Sequence, residues 1–116
     1  MAGPLTLTDE TFPEALAREP LLVVDVWAEW CGPCRVLGPI VERLSSEFDG
    51  RVVFAKLDVD LNPATADRFV VRTIPSLLFF EDGALVDRTV GSLPESLLRA
   101  KVEQLIKNAA AKPRAA

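Results

Sequence analysis

Histidine is absent from this chain of 116 residues, and cysteine occurs only twice. Without histidine the protein cannot use a Ser-His-Asp or Cys-His catalytic group, and no zinc site can include a histidine ligand. Two cysteines alone cannot complete a tetrahedral metal site within one chain. These absences leave the two thiols themselves as the first candidates for chemistry.

Long apolar runs and clusters of basic residues are also missing. No stretch approaches the roughly 18 apolar residues that a membrane-spanning helix needs. Residues 1–4 lack the basic and apolar segments of a signal peptide. The net charge of −4, with no run of lysine or arginine, does not favour nucleic acid or an anionic membrane as a partner. No Gly-rich phosphate loop is present. We therefore expect a cytoplasmic protein that binds neither nucleic acid nor membranes.

The composition is that of an ordinary globular protein, with 49% hydrophobic and 26% charged residues. Its length predicts a single domain over residues 1–116, in which residues 109–116 form a frayed C-terminal tail. Strands are predicted at 5–7, 21–27, 52–59, 77–80 and 85–90, and helices at 8–18, 33–48, 62–69 and from about 95 onwards. The spacing of Ser92 and Glu95 predicts a capping box before the last helix. The helix–strand alternation predicts parallel strands, and the hairpin signal Asp82-Gly83 adds antiparallel ones. The fold class is therefore α/β with a mixed sheet.

Both cysteines, Cys31 and Cys34, fall between a predicted buried strand and a predicted helix. A helix start carries partial positive charge, which favours a thiolate, and residues three apart are neighbours on a helix. Pro33 between them suits the first helical turn. We interpret Cys31 as the nucleophile and Cys34, one turn further in and more shielded, as the resolving thiol. The alternatives are two buried thiols or half of a metal site shared between chains.

Two charged residues interrupt the predicted buried strands. Burial of Asp25 should raise its pKa, which would suit a proton acceptor and donor for Cys34. Alternatively, Asp25 is a structural carboxylate satisfied by hydrogen bonds or paired with Lys56. Lys56 itself is either an electrostatic partner that modulates Asp25 or an edge lysine that reaches water.

The segment Trp30-Cys31-Gly32-Pro33-Cys34 resembles the active site of the thioredoxin family. It is preceded by Asp25-Val26-Trp27-Ala28 and followed by Arg35 and Pro39, and the similarity extends over nearly the whole chain. The resemblance implies a thioredoxin fold, with a central mixed five-stranded sheet flanked by about four helices. It also implies a general protein-disulfide reductase that acts on diverse protein substrates. In that family NADPH-dependent thioredoxin reductase recycles the dithiol, and no cofactor is bound. We expect a monomer.

The resemblance also assigns roles around the cysteines. It implies that Pro75 is cis and that the backbone of Ile74 pairs with the substrate chain. It supports a proton-transfer role for Asp25 and implies that Gly32 and Pro33 tune the redox potential. The remaining substrate-binding residues that it implies are Trp30, Thr73, Val90 and Gly91.

The sequence departs from the family pattern at four positions: Val26, Val70, Thr73 and Ser76. Val70 stands where glycine is frequent, and with Thr73 it borders the expected docking surface. The Gly-Pro dipeptide resembles the reducing members, because oxidising and isomerising relatives tend to have histidine there. Three alternative functions are a redox-independent stabilising subunit of a larger assembly, a disulfide oxidase or isomerase, and a dimer bridged by metal through the thiols.

Overall fold

The computed structural model describes residues 3–112, which form one five-stranded sheet with four helices. The strands are β1 (Leu5–Leu7), β2 (Leu21–Trp27), β3 (Val53–Asp58), β4 (Ser76–Glu81) and β5 (Ala84–Val90). The helices are α1 (Phe12–Arg18), α2 (Gly32–Glu47), α3 (Pro63–Arg68) and α4 (Glu95–Ala111). Residues 1 and 2 of the N-terminal segment and residues 113–116 of the predicted tail lie outside the described residues.

The sheet has the strand order β1-β3-β2-β4-β5 and is mixed, as predicted. Strands β1 and β2 both run parallel to β3, whereas β4 is antiparallel to β2 and to β5. The turn between β4 and β5 has positive φ at both Asp82 (49°) and Gly83 (84°), which matches the predicted hairpin. This topology puts β2 at the centre of the sheet, with its C-terminal end leading directly to the cysteines.

Side chains of β2 alternate between two hydrophobic clusters, one on each face of the sheet. Val23 packs with residues of α2 and α4, whereas Leu22, Val24 and Val26 pack on the other face with residues of α1. Asp25 has the same parity as Val23, so it lies on the α2 side. The buried carboxylate therefore faces the helix that begins at the cysteines.

Two sequence predictions about local structure are wrong, as is one of the two alternatives for Lys56. Helix α4 continues to Ala111, so the first residues of the predicted 109–116 tail are helical. The predicted capping box at Ser92–Glu95 does not form, because Pro94 is the N-cap of α4 and makes no side-chain capping bond. Lys56 is not an edge residue, because β3 lies between β1 and β2.

Helix α3 is capped by a residue distant in sequence. Its N-cap, Asn62, makes no side-chain capping bond. Instead, the carboxylate of Asp9 accepts hydrogen bonds from the backbone N–H groups of Ala64 (3.1 Å) and Thr65 (2.8 Å). The Asn62 amide oxygen in turn accepts from the Asp9 backbone N–H at 2.9 Å. This exchange fastens α3 to the segment that precedes α1.

Candidate active site

Cys31 and Cys34 form a disulfide at the N-terminus of α2, with a Cα–Cα distance of 5.3 Å. Cys31 is the N-cap residue, and its extended backbone (φ −87°, ψ 111°) leaves its sulfur directed at the first turn. The backbone N–H of Cys34 donates a hydrogen bond to Cys31 Sγ at 3.2 Å. A donor at this position stabilises a negatively charged sulfur, in addition to the helix dipole.

Both cysteines are buried, Cys31 at 3% and Cys34 at 4% relative exposure. The expectation that Cys34 is the more shielded residue is therefore wrong for this disulfide form. What distinguishes the two is hydrogen bonding, because it is the Cys31 sulfur that accepts a helix N–H. Gly32 and Pro33, between the cysteines, are exposed in the first turn of the helix.

Apolar residues from separate elements pack on the disulfide. Ala28 is buried with the two cysteines, and Trp27, Val59 and Ile74 contact this cluster. Trp27 is the last residue of β2 and Val59 directly follows β3, so both lie at the same edge of the sheet, where the Val59 N–H donates to the Trp27 carbonyl at 2.9 Å. The sulfurs therefore lie at the C-terminal edge of the parallel strands, in an environment of low polarity.

Asp25 is completely buried in the centre of β2. Neither carboxylate oxygen has a hydrogen-bond partner among the described residues. Burial raises the pKa of Asp25 to about 7, and the positive charge of Lys56 opposes this rise only in part. No other described residue satisfies this carboxylate by hydrogen bonding, and its raised pKa lets it exchange a proton near neutral pH.

Lys56 is the β3 residue in register with Asp25, so the two side chains lie on the same face of neighbouring strands. Lys56 Nζ lies 4.7 Å from the centre of the Trp27 ring, a cation–π distance. It also lies 3.6 Å from the position that a Cβ on Gly38 would occupy. The lysine is therefore half-buried between Trp27 and α2, and it acts on Asp25 through its field.

The segment before β4 forms the far side of the site. The Ile74–Pro75 peptide bond is cis, as the resemblance implies. The Thr73 carbonyl accepts a hydrogen bond from the Ser76 hydroxyl at 2.6 Å, and the Pro75 carbonyl accepts from the Gly91 N–H at 2.7 Å. Val90 pairs with Ser76 and exposes its side chain, so these residues share one surface.

Trp30 is 67% exposed beside the disulfide, and its hydrogen-bond partner was not predicted from the sequence. The Trp30 indole N–H donates to the carboxylate of Asp60 at 2.8 Å. The Asp58 carboxylate accepts the Asp60 backbone N–H at 2.9 Å, which shapes that turn. Asp60 could have been identified by its position after β3, because the C-terminal end of that strand lies at the same sheet edge as the cysteines.

Within residues 3–112 no group of three or more potential metal ligands is found. No helix in this range is long and apolar enough to cross a membrane.

Comparison with known proteins gives consistent matches. A family model described as thioredoxin matches residues 3–104. The chain is 42% identical over 100 residues to Thioredoxin 2 of Chlorobaculum tepidum, covering 85% of this chain and 92% of that protein. It is 38% identical over 107 residues to a thioredoxin of Synechocystis sp., covering 91% of this chain and 100% of that protein. Among solved structures, a point-mutant thioredoxin from Halobacterium salinarum NRC-1 superimposes with a TM-score of 0.83 at 35% identity, covering 90% of this chain and 91% of that chain.

Proposed function

The chain belongs to the thioredoxin family and is a thiol–disulfide oxidoreductase, and on this premise we propose a role for each residue of the active site. The observation that carries the proposal is the hydrogen bond from the Cys34 N–H to Cys31 Sγ at the start of α2. Because this donor and the helix dipole both favour a thiolate on Cys31, Cys31 is the attacking residue.

The reaction has two exchange steps. The Cys31 thiolate attacks one sulfur of a substrate disulfide, which forms a mixed disulfide and releases the other substrate sulfur as a thiolate. Cys34, once deprotonated, attacks Cys31 Sγ and releases the second substrate sulfur. Two electrons pass to the substrate, and the Cys31–Cys34 disulfide remains. The exposed dipeptide Gly32-Pro33 tunes the redox potential, because it sets the geometry of the helix start.

Asp25 is the proton acceptor and donor for Cys34. Its place on the α2 side of the sheet and its pKa of about 7 support this role, because a base is most effective when its pKa lies near the working pH. Lys56 modulates Asp25, since its positive charge holds that pKa lower than burial alone would set it. Together these residues supply and return one proton per turnover.

Protein substrates dock beside the disulfide. The backbone of Ile74, next to the cis Pro75, pairs with an extended segment of the substrate. Trp30, Thr73, Val90 and Gly91 complete the docking surface, which is apolar and uncharged and therefore suits diverse sequences. We propose that the protein is a monomeric single domain in the cytoplasm. There, thioredoxin reductase returns the disulfide to the dithiol with electrons from NADPH.

The experiment that tests these roles is trapping with single-cysteine variants. Cys34→Ser should form a stable mixed disulfide with insulin through Cys31, whereas Cys31→Ser should form little adduct. Non-reducing gels and mass spectrometry identify the linked residue. Efficient trapping by Cys31→Ser instead would reverse the assignment of the two cysteines.

A coupled assay tests the recycling partner. Wild-type protein, a bacterial thioredoxin reductase, NADPH and insulin should give continuous NADPH oxidation, and the double variant Cys31→Ser/Cys34→Ser should give none. Dithiothreitol in place of the reductase is the control. Insulin reduction with dithiothreitol but not with the reductase would refute the proposed partner while retaining the disulfide chemistry.

A further inference from the structure

The turn that ends α3 contains a valine in a backbone conformation that favours glycine. Val70 has φ 55°, and its side chain is 57% exposed. Its N–H donates to the Asp67 carbonyl at 3.1 Å, and the Val71 N–H donates to the Ala66 carbonyl at 2.9 Å. These two bonds are those of a Schellman motif, whose left-handed position glycine normally occupies. A β-branched residue there is strained, so the surrounding structure must hold the turn.

Arg88 on β5 is one residue that restrains this turn. Its Nη2 donates a hydrogen bond of 2.7 Å to the carbonyl of Phe69, the C-cap residue of α3. Arg88 is paired with Leu78 across the hairpin, and directly paired residues lie on one sheet face. Leu78 and Phe69 belong to the same hydrophobic cluster, so the guanidinium reaches the end of α3 across that face. A cation also suits the negative end of a helix.

Strand β5 and the turn after it therefore contact both ends of the segment that carries the docking backbone. The Arg88 side chain binds the Phe69 carbonyl at the start of residues 69–75, and the Gly91 N–H binds the Pro75 carbonyl at the end. Ile74 packs against the disulfide cluster between these two points. Because only five residues separate the two ends, a shift at Phe69 is passed on to Thr73 and Ile74.

We propose that Arg88 is a positioning residue for substrate docking: by holding the Phe69 carbonyl it fixes the strained Val70 turn and, through it, the backbone of Ile74. This proposal rests on the docking role of Ile74 given above. Arg88 does not act on the sulfurs, so it affects substrates that dock along the segment and leaves the exchange chemistry unchanged.

The test compares a protein substrate with a small one. Arg88→Met should raise KM for insulin about three- to tenfold, in the range of residues that act through another element, with kcat unchanged. The rate with cystamine, a disulfide without a peptide backbone, should stay within about twofold. Arg88→Lys should restore KM, because a lysine can also donate the single hydrogen bond made here. Lys107→Met, an equal change of charge on the exposed face of α4, is the matched control and should leave KM unchanged.

Amide hydrogen exchange provides a readout that does not depend on activity. In Arg88→Met the Val70 and Val71 amides should exchange about tenfold faster, the effect expected for loss of one charge-assisted hydrogen bond. The Leu22–Val26 amides of β2 should not change. Unchanged exchange at Val70 and Val71, or an unchanged KM for insulin, would overturn the proposal, and so would equal losses with insulin and cystamine.

A direct change in the docking segment separates this proposal from the one on which it rests. Thr73→Arg places a bulky charge beside Ile74 and should raise KM for insulin whatever Arg88 does. If Thr73→Arg leaves KM unchanged, the docking role itself is wrong. If it raises KM while Arg88→Met does not, docking stands and the positioning role of Arg88 is wrong.

Discussion

Replacing Asp25 with asparagine should make the oxidised protein more stable, with a gain that is almost absent at pH 4, grows as the pH rises and is complete above about pH 7. The carboxyl is fully buried without a hydrogen-bond partner among residues 3–112, and burial raises its pKa from 3.8 to about 7. Folding therefore opposes ionisation. Between about pH 4 and pH 7 the unfolded chain has lost this proton while the folded chain keeps it, so stability falls as pH rises through that window.

The size of the effect follows from the shift. A difference of about three pKa units corresponds to about 4 kcal/mol at a pH above both values. The asparagine side chain is neutral at every pH, so Asp25→Asn should be about 2–4 kcal/mol more stable than wild type at pH 8. At pH 4 the two proteins should have nearly equal stability, because the wild-type carboxyl is then neutral in the folded state.

Urea unfolding of the oxidised proteins at pH 4, 5.5, 7 and 8 measures this difference, with equal m-values as the check on two-state behaviour. Asp49→Asn removes an exposed carboxylate from the turn after α2 and serves as the control, with no comparable pH-dependent gain. Equal stability of Asp25→Asn and wild type at pH 8, or a gain of the same size at pH 4, would show that burial does not oppose ionisation of Asp25.

Three further predictions concern stability. Val70→Gly should stabilise the fold by about 1 kcal/mol in urea unfolding, because relief of the left-handed valine exceeds the entropy cost of glycine; a loss of stability would show that the turn is unstrained. Asp9→Ala should lower the unfolding midpoint, because α3 loses its cap. Burial raises the Asp9 pKa, but hydrogen bonds from Thr65 and Ala64 lower it overall. The loss of stability caused by Asp9→Ala should therefore shrink as the pH falls below about 4. Arg99→Met should lower Tm at low salt and less at high salt, because it breaks ion pairs of 2.8 and 3.2 Å that join α4 to α2 and to its own first turn; a salt-independent change would point to lost packing instead.

The reacting residues were predictable because their signals are local. The spacing of Cys31 and Cys34, together with Pro33 and a preceding apolar strand, predicts both the disulfide and its place at a helix start. Asp25 stood out as the one charge in the apolar β2, and its raised pKa follows from burial. The cis state of Pro75 could be expected only from the family resemblance, because X-Pro bonds are cis in about 5–6% of cases.

The residues that the sequence did not reveal act through distant contacts. Asp60 binds Trp30 across 30 residues of sequence. Asp9, in the segment before α1, caps α3, and Arg88 of β5 binds Phe69 at the end of α3. None has a local pattern, because each depends on how the strands are ordered. The Ser92–Glu95 capping box was a local signal that proved wrong. Its spacing makes Ser92 the N-cap, whereas the N-cap in the structure is Pro94, with φ −62° and ψ 148°.

The most direct test of the assignment as a reductase is the redox equilibrium of Cys31 and Cys34 against glutathione, measured by alkylation of acid-quenched samples. Thioredoxins in general have a potential of about −270 mV, whereas the cytosolic glutathione poise is about −240 mV. We expect the pair to remain mostly disulfide at that poise, which marks a strong electron donor. A pair that is mostly dithiol under those conditions would mark an oxidant or isomerase and contradict the assignment as a reductase.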